Sequence, residues 1–295
     1  MKKCSALLAI LPLSLTLALP VSANMAAPAD PDLGSTVSFE KNDSLTVTDE
    51  VLDIVVTGST AEITATYTME NLTQAPVSTP ALFLAPNTGD GGVEVWADGA
   101  SLPFTTESYQ LEFDGEATAD TWRSSVLTVW SMSDRNKDRV EGISFQLEFQ
   151  PGQTREIVVS YPYRLGGYPD YDFNVKRGEI EYYLAPCQLW GGFENLTINL
   201  YLDKDMPVLK DSGQLEFEKV APRTYQYHTD QPTEGYLRLV VDESPIQEFF
   251  STLRSPYLPM MLMFLSPVIL IVLTVVILVV WSIRRRRRKN KLPPL

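Results

Sequence analysis

The stretch Ala61–Asn71, AEITATYTMEN, decides how the rest of this chain is read. Ala61, Ile63, Ala65, Tyr67 and Met69 alternate with Glu62, Thr64, Thr66, Thr68 and Glu70. A period of two sends successive side chains to opposite faces of an extended backbone, so the segment predicts a half-buried strand ending at Asn71.

The same pattern recurs along the chain. In VEVWADGASLPF, residues 93–104, Asp98-Gly99 is a hairpin turn signal. In ISFQLEFQPGQTREIVVSYPY, Pro151-Gly152 separates two runs of matching length, Ile143–Phe149 and Arg155–Tyr163, which read as a hairpin. Further strands are expected at Glu179–Leu184, Leu196–Leu202, Gln214–Glu218, Thr224–His228 and Tyr236–Val241. Short strands separated by turn residues predict a mainly β protein, an antiparallel, Ig-like β-sandwich. Two units are expected, 37–165 and 166–243, with the boundary in the loop Arg164–Gly178.

Two stretches read differently. Trp122, Val126 and Trp130 lie at i, i+4 and i+8, which suggests a short helix. In SPIQEFFSTLRSPY, Ser244 stands as N-cap and Pro245 at the first helical position, with Ile246, Phe249, Phe250 and Leu253 on one face. That predicts a juxtamembrane helix within 244–256, leaning on the bilayer surface or on the domain.

The ends of the chain give its address. Lys2 and Lys3, the apolar run Ala6–Leu19 and the small residues Val21-Ser22-Ala23 have the layout of a secretory signal peptide, residues 1–23. Cys4 precedes the apolar run and leaves with it. A disordered leader, 24–36, follows. From Leu258 to Ile283 the chain carries 26 residues without a charge, bounded by Tyr257 and Trp281 near the two expected interfaces. Leu258-Pro259-Met260-Met261-Leu262 lacks the Thr-Gly of a wall-sorting signal, so the stretch reads as a retained transmembrane helix. Seven cations follow directly: Arg284, Arg285, Arg286, Arg287, Arg288, Lys289 and Lys291. By the positive-inside bias they place the tail, 284–295, in the cytoplasm against membrane lipid, and the N-terminal domain outside.

All 37 acidic residues lie in the portion between these ends, together with 15 of the 24 basic ones, a net charge of −22. Such a surface argues against nucleic acid as a partner and allows cationic partners or plain solvation. With one cysteine outside the signal, the domain relies on a hydrophobic core and not on disulfides.

A strand ending in Asn, a Pro-rich return, the DG and PGQTREIVVSY turns and YYLAPCQLWGGFENLTINL together resemble uncharacterised exported bacterial proteins. That class has a signal peptide, a β-sandwich ectodomain and one C-terminal span. The resemblance implies this architecture and carries over no catalytic residue.

Chemistry is sparse. Cys187 lies among Leu184, Leu189 and Trp190, and the one histidine, His228, falls on a different expected strand, so Cys187 reads as a packed small side chain. Gly191-Gly192 reads as a tight turn. Asp134, Asn136 and Asp138 match the first, third and fifth ligand positions of a calcium loop. Arg139 and Phe145 stand where that loop needs its glycine and its glutamate, so the string reads as a solvated hairpin tip. Tyr161, Tyr163, Tyr168, Tyr171 and Phe173 form a candidate aromatic binding patch. No phosphate loop, serine elbow or His/Cys metal spacing points to a cofactor. The expectation is a non-catalytic, membrane-anchored surface protein that binds an envelope protein or glycan, or serves as a subunit of a membrane complex. The alternative is an exported hydrolase using paired carboxylates.

Overall fold

The computed structural model describes residues 25–26, 28, 36–89, 91–111, 116–118, 120–125, 139–166, 177–230, 235–254 and 257–289. The expected signal peptide lies outside them, as does much of the expected leader; Met25 and Ala26 are buried and pair with Phe83 and Leu82, so the disordered reading is corrected there. The chain opens with β1 (Met25–Ala26), β2 (Thr36–Glu40), β3 (Leu45–Thr57), β4 (Thr60–Asn71), β5 (Val77–Pro86) and β6 (Glu94–Ala97). It continues through β7 (Ala100–Ser101), β8 (Phe104–Gln110), β9 (Glu116–Ala117), β10 (Thr121–Ser125), β11 (Arg139–Phe149) and β12 (Thr154–Arg164). After β13 (Arg177–Tyr183) and a 3-10 turn, Ala185–Leu189, come β14 (Phe193–Tyr201), β15 (Val208–Asp211) and β16 (Glu218–Ala221). Last are β17 (Thr224–Thr229), β18 (Tyr236–Asp242) and two helices, α1 (Pro245–Arg254) and α2 (Leu258–Lys289).

An eight-stranded sheet runs β16-β17-β14-β3-β4-β12-β6-β7, a four-stranded one β1-β5-β11-β8, and two of three strands run β2-β10-β9 and β13-β18-β15. Neighbours pair antiparallel with one exception among the described strands: β14 lies parallel to β3, with Phe193 opposite Val47 and Tyr201 opposite Val55. The strictly antiparallel expectation is corrected there. A parallel neighbour needs a long crossover, here the whole stretch between the two strands. The ranges 37–165 and 166–243 thus contribute to one sheet. The Tyr67 and Tyr182 hydroxyls also meet across the expected boundary, 3.0 Å apart. Side chains from Met25 to Val241 meet in one core cluster.

The expected hairpin at Pro151-Gly152 is a crossing between sheets. β11 pairs with β5 and β8, and β12 with β4 and β6. The connection from β4 to β5 makes the same crossing alongside it. Asn71 joins the two: its Nδ2 donates to Ala75 O at 2.9 Å and to Gln150 O at 3.0 Å, and its Oδ1 accepts from the Thr73 amide at 2.9 Å. The Gly152 amide donates to Asn71 O, and the Asn71 amide to Gln153 O. Pro-Gly marks a chain reversal but carries no information about which sheet the chain re-enters.

Two further expectations are corrected. Trp122 belongs to strand β10, not a helix, with its ring centroid 5.4 Å from Phe39 and 5.7 Å from Tyr183; Val126 and Trp130 lie outside the described residues. Of the strand expected at Gln214–Glu218 only Glu218 is extended, as the first residue of β16; before it is a turn in which Ser212 Oγ donates to Leu215 O at 2.6 Å, with Gly213 at φ +64°. That turn separates β15 from β16.

β3 determines what the core contains. Its pairing with β4 shifts between Val47 and Asp49, a β-bulge. One extra residue inverts the in–out phase, so Leu45 and Val47 on one side of the bulge share the inner face with Glu50, Leu52, Ile54 and Val56 on the other. A carboxyl group is thereby placed in the core.

Candidate membrane-proximal interface

Ser244 begins α1 as its sequence predicts, and the first turn is closed by a reciprocal cap. The Ser244 amide donates to Gln247 Oε1 at 3.0 Å, while the Gln247 amide donates to Ser244 Oγ at 3.4 Å. This satisfies amides that a helix start otherwise leaves open. The polar face of α1 is fixed to the β-domain. Ser251 Oγ donates to both oxygens of Glu243, at 3.1 and 2.8 Å, and Gln247 Nε2 donates to Lys204 O at 2.7 Å. Glu243 is itself buried, so this is an anchored contact and not a loose surface pair. Lys204 adjoins Asp203, whose Oδ2 accepts from the Gly58 amide at 3.0 Å, which ties the helix to the β3–β4 turn.

The opposite face of α1 is bare. Ile246, Phe249, Phe250 and Leu253 are 71, 60, 53 and 47 % exposed, so the domain does not cover them. The expectation that α1 leans on the domain therefore holds only for its polar side. Beneath the helix, Asp242 accepts from Arg177 Nε at 2.9 Å and Lys210 Nζ at 2.7 Å. Burial alone raises its pKa, but the hydrogen bonds from Lys210 and Arg177 outweigh that and hold the carboxyl below its usual value.

α2 follows. Its segment Leu258–Arg285 is long and apolar enough to cross a membrane, and none of its apolar window is buried inside the protein. At about 1.5 Å per residue it measures roughly 42 Å, more than a hydrocarbon core of about 30 Å. Pro267 sits inside the helix and cannot donate to the carbonyl of Met263. The Ser266 hydroxyl donates to Met263 O instead, at 2.7 Å, which satisfies that oxygen without water. At the far end the Arg285 guanidinium lies 5.1 Å from the Trp281 ring centroid, a cation–π contact. Of the expected membrane-surface cations, Arg284 and Arg285 are described and exposed; the side chains of Arg286, Arg287, Arg288 and Lys289, and Lys291 entirely, lie outside the described residues.

Far from this interface, the core holds a polar chain. Tyr182 Oη donates to Glu50 Oε1 at 3.1 Å, and the Tyr67 and Tyr182 hydroxyls are 3.0 Å apart. Glu50 Oε2 is buried with no hydrogen-bond partner among the described residues. Burial pushes the Glu50 carboxyl up to about 8, against the weaker pull of the Tyr182 and Tyr67 hydrogen bonds, so the group is mostly protonated at neutral pH. The Tyr182 hydroxyl is likewise raised well above its ordinary value by burial.

Two members of the candidate aromatic patch are corrected by burial. Tyr161 and Tyr163 are 0 % exposed, because their strand alternates Ile157, Val159, Tyr161 and Tyr163 toward the core. Fully enclosed rings offer a ligand no surface. Tyr168, Tyr171 and Phe173 lie outside the described residues, as do the calcium-loop candidates Asp134, Asn136 and Asp138 and the side chain of Cys187. Among the described residues no group of three or more His, Cys, Asp or Glu side chains is placed to hold a metal ion. His228 is exposed and its Nδ1 lies 3.0 Å from Thr197 Oγ1. Trp190 is buried and donates from Nε1 to Met25 O at 2.7 Å. Gly191 and Gly192 adopt no positive φ, so the tight-turn reading is corrected: close approach requires them. A Cβ at Gly191 meets the backbone oxygen of Asp43 at 2.9 Å.

No protein-family model matches the chain, and no curated protein matches it in sequence. Among solved structures, the chain is similar to a Legionella pneumophila protein described as a candidate nutrient binder, at 9 % identity and TM-score 0.45, over 79 % of this chain and 75 % of that one. It is similar to yeast LTA4 hydrolase at 11 % identity and TM-score 0.33, over 69 % of this chain and 30 % of the hydrolase. A zinc metallopeptidase of Deinococcus radiodurans gives 14 % identity and TM-score 0.32, over 69 % of this chain and 43 % of the peptidase. The chain thus spans less than half the length of either enzyme.

Proposed function

We propose that the chain is a single-pass membrane protein whose Ig-like β-sandwich domain is held outside the cytoplasm, where it binds an envelope protein or glycan without catalysing a reaction. The observation that carries this reading is the order of parts at the C-terminal end. A helix pinned to the β-domain is followed within four residues by an apolar helix of spanning length, and that by a run of arginines. The cations keep their end in the cytoplasm, so the β-domain stands on the far side.

The outer face of the eight-stranded sheet supports a binding role. Its side chains are tied into rows: Ser160 Oγ donates to Glu62 Oε1 at 2.8 Å and lies 3.0 Å from Thr64 Oγ1. Asn199 Nδ2 donates to Asp53 Oδ1 at 2.9 Å, and Gln226 Nε2 to Asn199 Oδ1 at 2.8 Å. A pre-ordered, acidic, polar face suits a cationic protein surface or hydroxyl-rich glycan, because little side-chain entropy remains to be lost on binding. A non-catalytic role is supported by Glu50. This carboxyl, the one raised above its ordinary range among the described residues, faces tyrosine hydroxyls in the core and not a second carboxylate in a cleft.

The test has two parts. Right-side-out vesicles from cells making the full chain should show the β-domain open to an impermeant biotinylating reagent; protection of the β-domain overturns the topology. Crosslinking in the same membranes should give an adduct that weakens in the variant Asp53→Lys, Glu62→Lys. An adduct unchanged by that variant overturns the assignment of the binding face.

A further inference from the structure

We infer that the bare face of α1 is seated in the headgroup–acyl boundary of the bilayer that α2 crosses, so that the β-domain is held in one fixed pose on the membrane. The inference rests on the proposed span and specifies what lies against the domain's own helix. Three observations meet at α1.

The first is the tether. α1 ends at Arg254 and α2 begins at Leu258. Four chain steps reach at most about 14 Å even when fully extended. Once α2 enters the bilayer, the C-terminal end of α1 is held within about 14 Å of the start of α2, close to the membrane surface.

The second is the pattern of the helix. Ile246, Phe249, Phe250 and Leu253 make one continuous exposed apolar stripe, reinforced by the Phe249 and Phe250 rings packed edge to face at 5.7 Å. A short helix with one bulky apolar face and one polar face partitions into the boundary layer and does not span it. A second copy of the chain is the less suitable occupant, because a charge of −22 on each exported portion opposes close approach of two domains.

The third is rigidity. The polar side of α1 is bonded to Glu243 and Lys204, and the helix start is capped by Ser244. A bilayer contact made by the stripe is therefore transmitted to the β-domain as an orientation. The β3–β4 turn at Gly58, bonded to Asp203 beside Lys204, becomes membrane-proximal. Asn71, at the other end of the 12-residue strand β4, lies roughly 36 Å further along that strand.

The experiment is spin-label accessibility in the full chain, reconstituted in phosphatidylcholine nanodiscs with Cys4 and Cys187 replaced by serine. Labels are placed through Phe250→Cys, Glu248→Cys and Leu270→Cys. The expected result is an oxygen-to-nickel collision ratio several-fold higher at position 250 than at 248, with 270 higher still. Equal ratios at 250 and 248, with 270 in lipid, overturn the seating of α1 alone. Exclusion of both reagents at 250 overturns it too, because protein then covers the stripe. Nickel access at 270 overturns the span and the seating together. A measurement without substitutions guards against a misfolded variant: a phospholipid with a carbene precursor high in its acyl chain should mark the wild-type peptide 245–254, and absence of that adduct refutes the seating.

Discussion

Replacing Glu50 by Gln should remove a pH dependence of stability that the wild-type chain carries. The carboxyl has an ordinary value of 4.5 and is pushed up to about 8 in the folded protein by burial. Between these values the folded chain keeps a proton that the unfolded chain has released, so stability is greatest below about pH 4.5 and falls as pH rises toward 8. Across that window each pH step of one costs about 1.4 kcal/mol, so the loss from about pH 5.5 to about pH 8.5 is on the order of 3 kcal/mol. That is a large share of the roughly 5–15 kcal/mol that holds a typical domain. The amide of Glu50→Gln retains an oxygen to accept from Tyr182 but cannot titrate. The assay is urea unfolding of the full chain in nanodiscs at those two pH values, followed by tryptophan fluorescence, to which the buried Trp122 and Trp190 report. The wild-type midpoint should drop with rising pH, while that of the variant should move far less. Parallel pH profiles for the two chains refute the reasoning, because the titrating group then lies elsewhere.

Three other outcomes are expected from the same unfolding measurement. Asn71→Ala deletes the side-chain bonds that join both sheet crossings and should lower stability by about 2–4 kcal/mol; a loss below about 1 kcal/mol shows that the crossings hold without it. The double change Arg177→Met, Lys210→Met leaves the buried Asp242 with the Glu243 amide but neither cation and should cost about 1–3 kcal/mol at neutral pH. Because the folded Asp242 pKa lies below its ordinary 3.8, the contribution of its partners is present above that value and is lost on acidification below it, so wild type and variant should converge there. Gly191→Ala should be worse than Gly192→Ala, by about 1–2 kcal/mol: the first new methyl meets the fixed backbone of Asp43, the second only the Thr46 hydroxyl, which can rotate away.

Much of the fold is legible in the sequence where one local rule governs. AEITATYTMEN has its period of two and forms β4 with the expected faces, and Ser244-Pro245 opens α1 at the residue where a cap belongs. The inward placement of Tyr161 and Tyr163 is also written in their alternation with Val158, Ser160 and Pro162, although aromatic content points toward a surface role. β3 is hard to read because its bulge breaks the alternation at Thr48 and Asp49: a pattern read straight through puts Glu50 out of phase with Val47. The destination of β11 and β12 is hidden for a different reason. A Pro-Gly turn is decided by a few residues, whereas the choice of sheet is decided by ten- and eleven-residue registers with strands distant in sequence. The tie between Glu243 and Ser251 leaves no trace in any spacing rule, since it depends on how far β18 carries the chain before the helix turns.

The parallel pairing of β14 with β3 has a consequence for how the protein is made. A ribosome releases the chain from its N-terminus, and β3, near the middle of the largest sheet, has its partner β14 some 146 residues downstream. Until Phe193–Tyr201 emerges, one long side of β3 displays unpaired amides and carbonyls next to a row of apolar side chains. The early chain can form the β3–β4 pair by itself, but that pair remains an open template for any other extended segment nearby. Closing so distant a contact is also slow on topological grounds. Maturation therefore has a vulnerable interval set by the number of residues still to be delivered, and a chaperone that shields a bare strand edge during that interval should raise the yield more than any added side-chain contact in the finished domain.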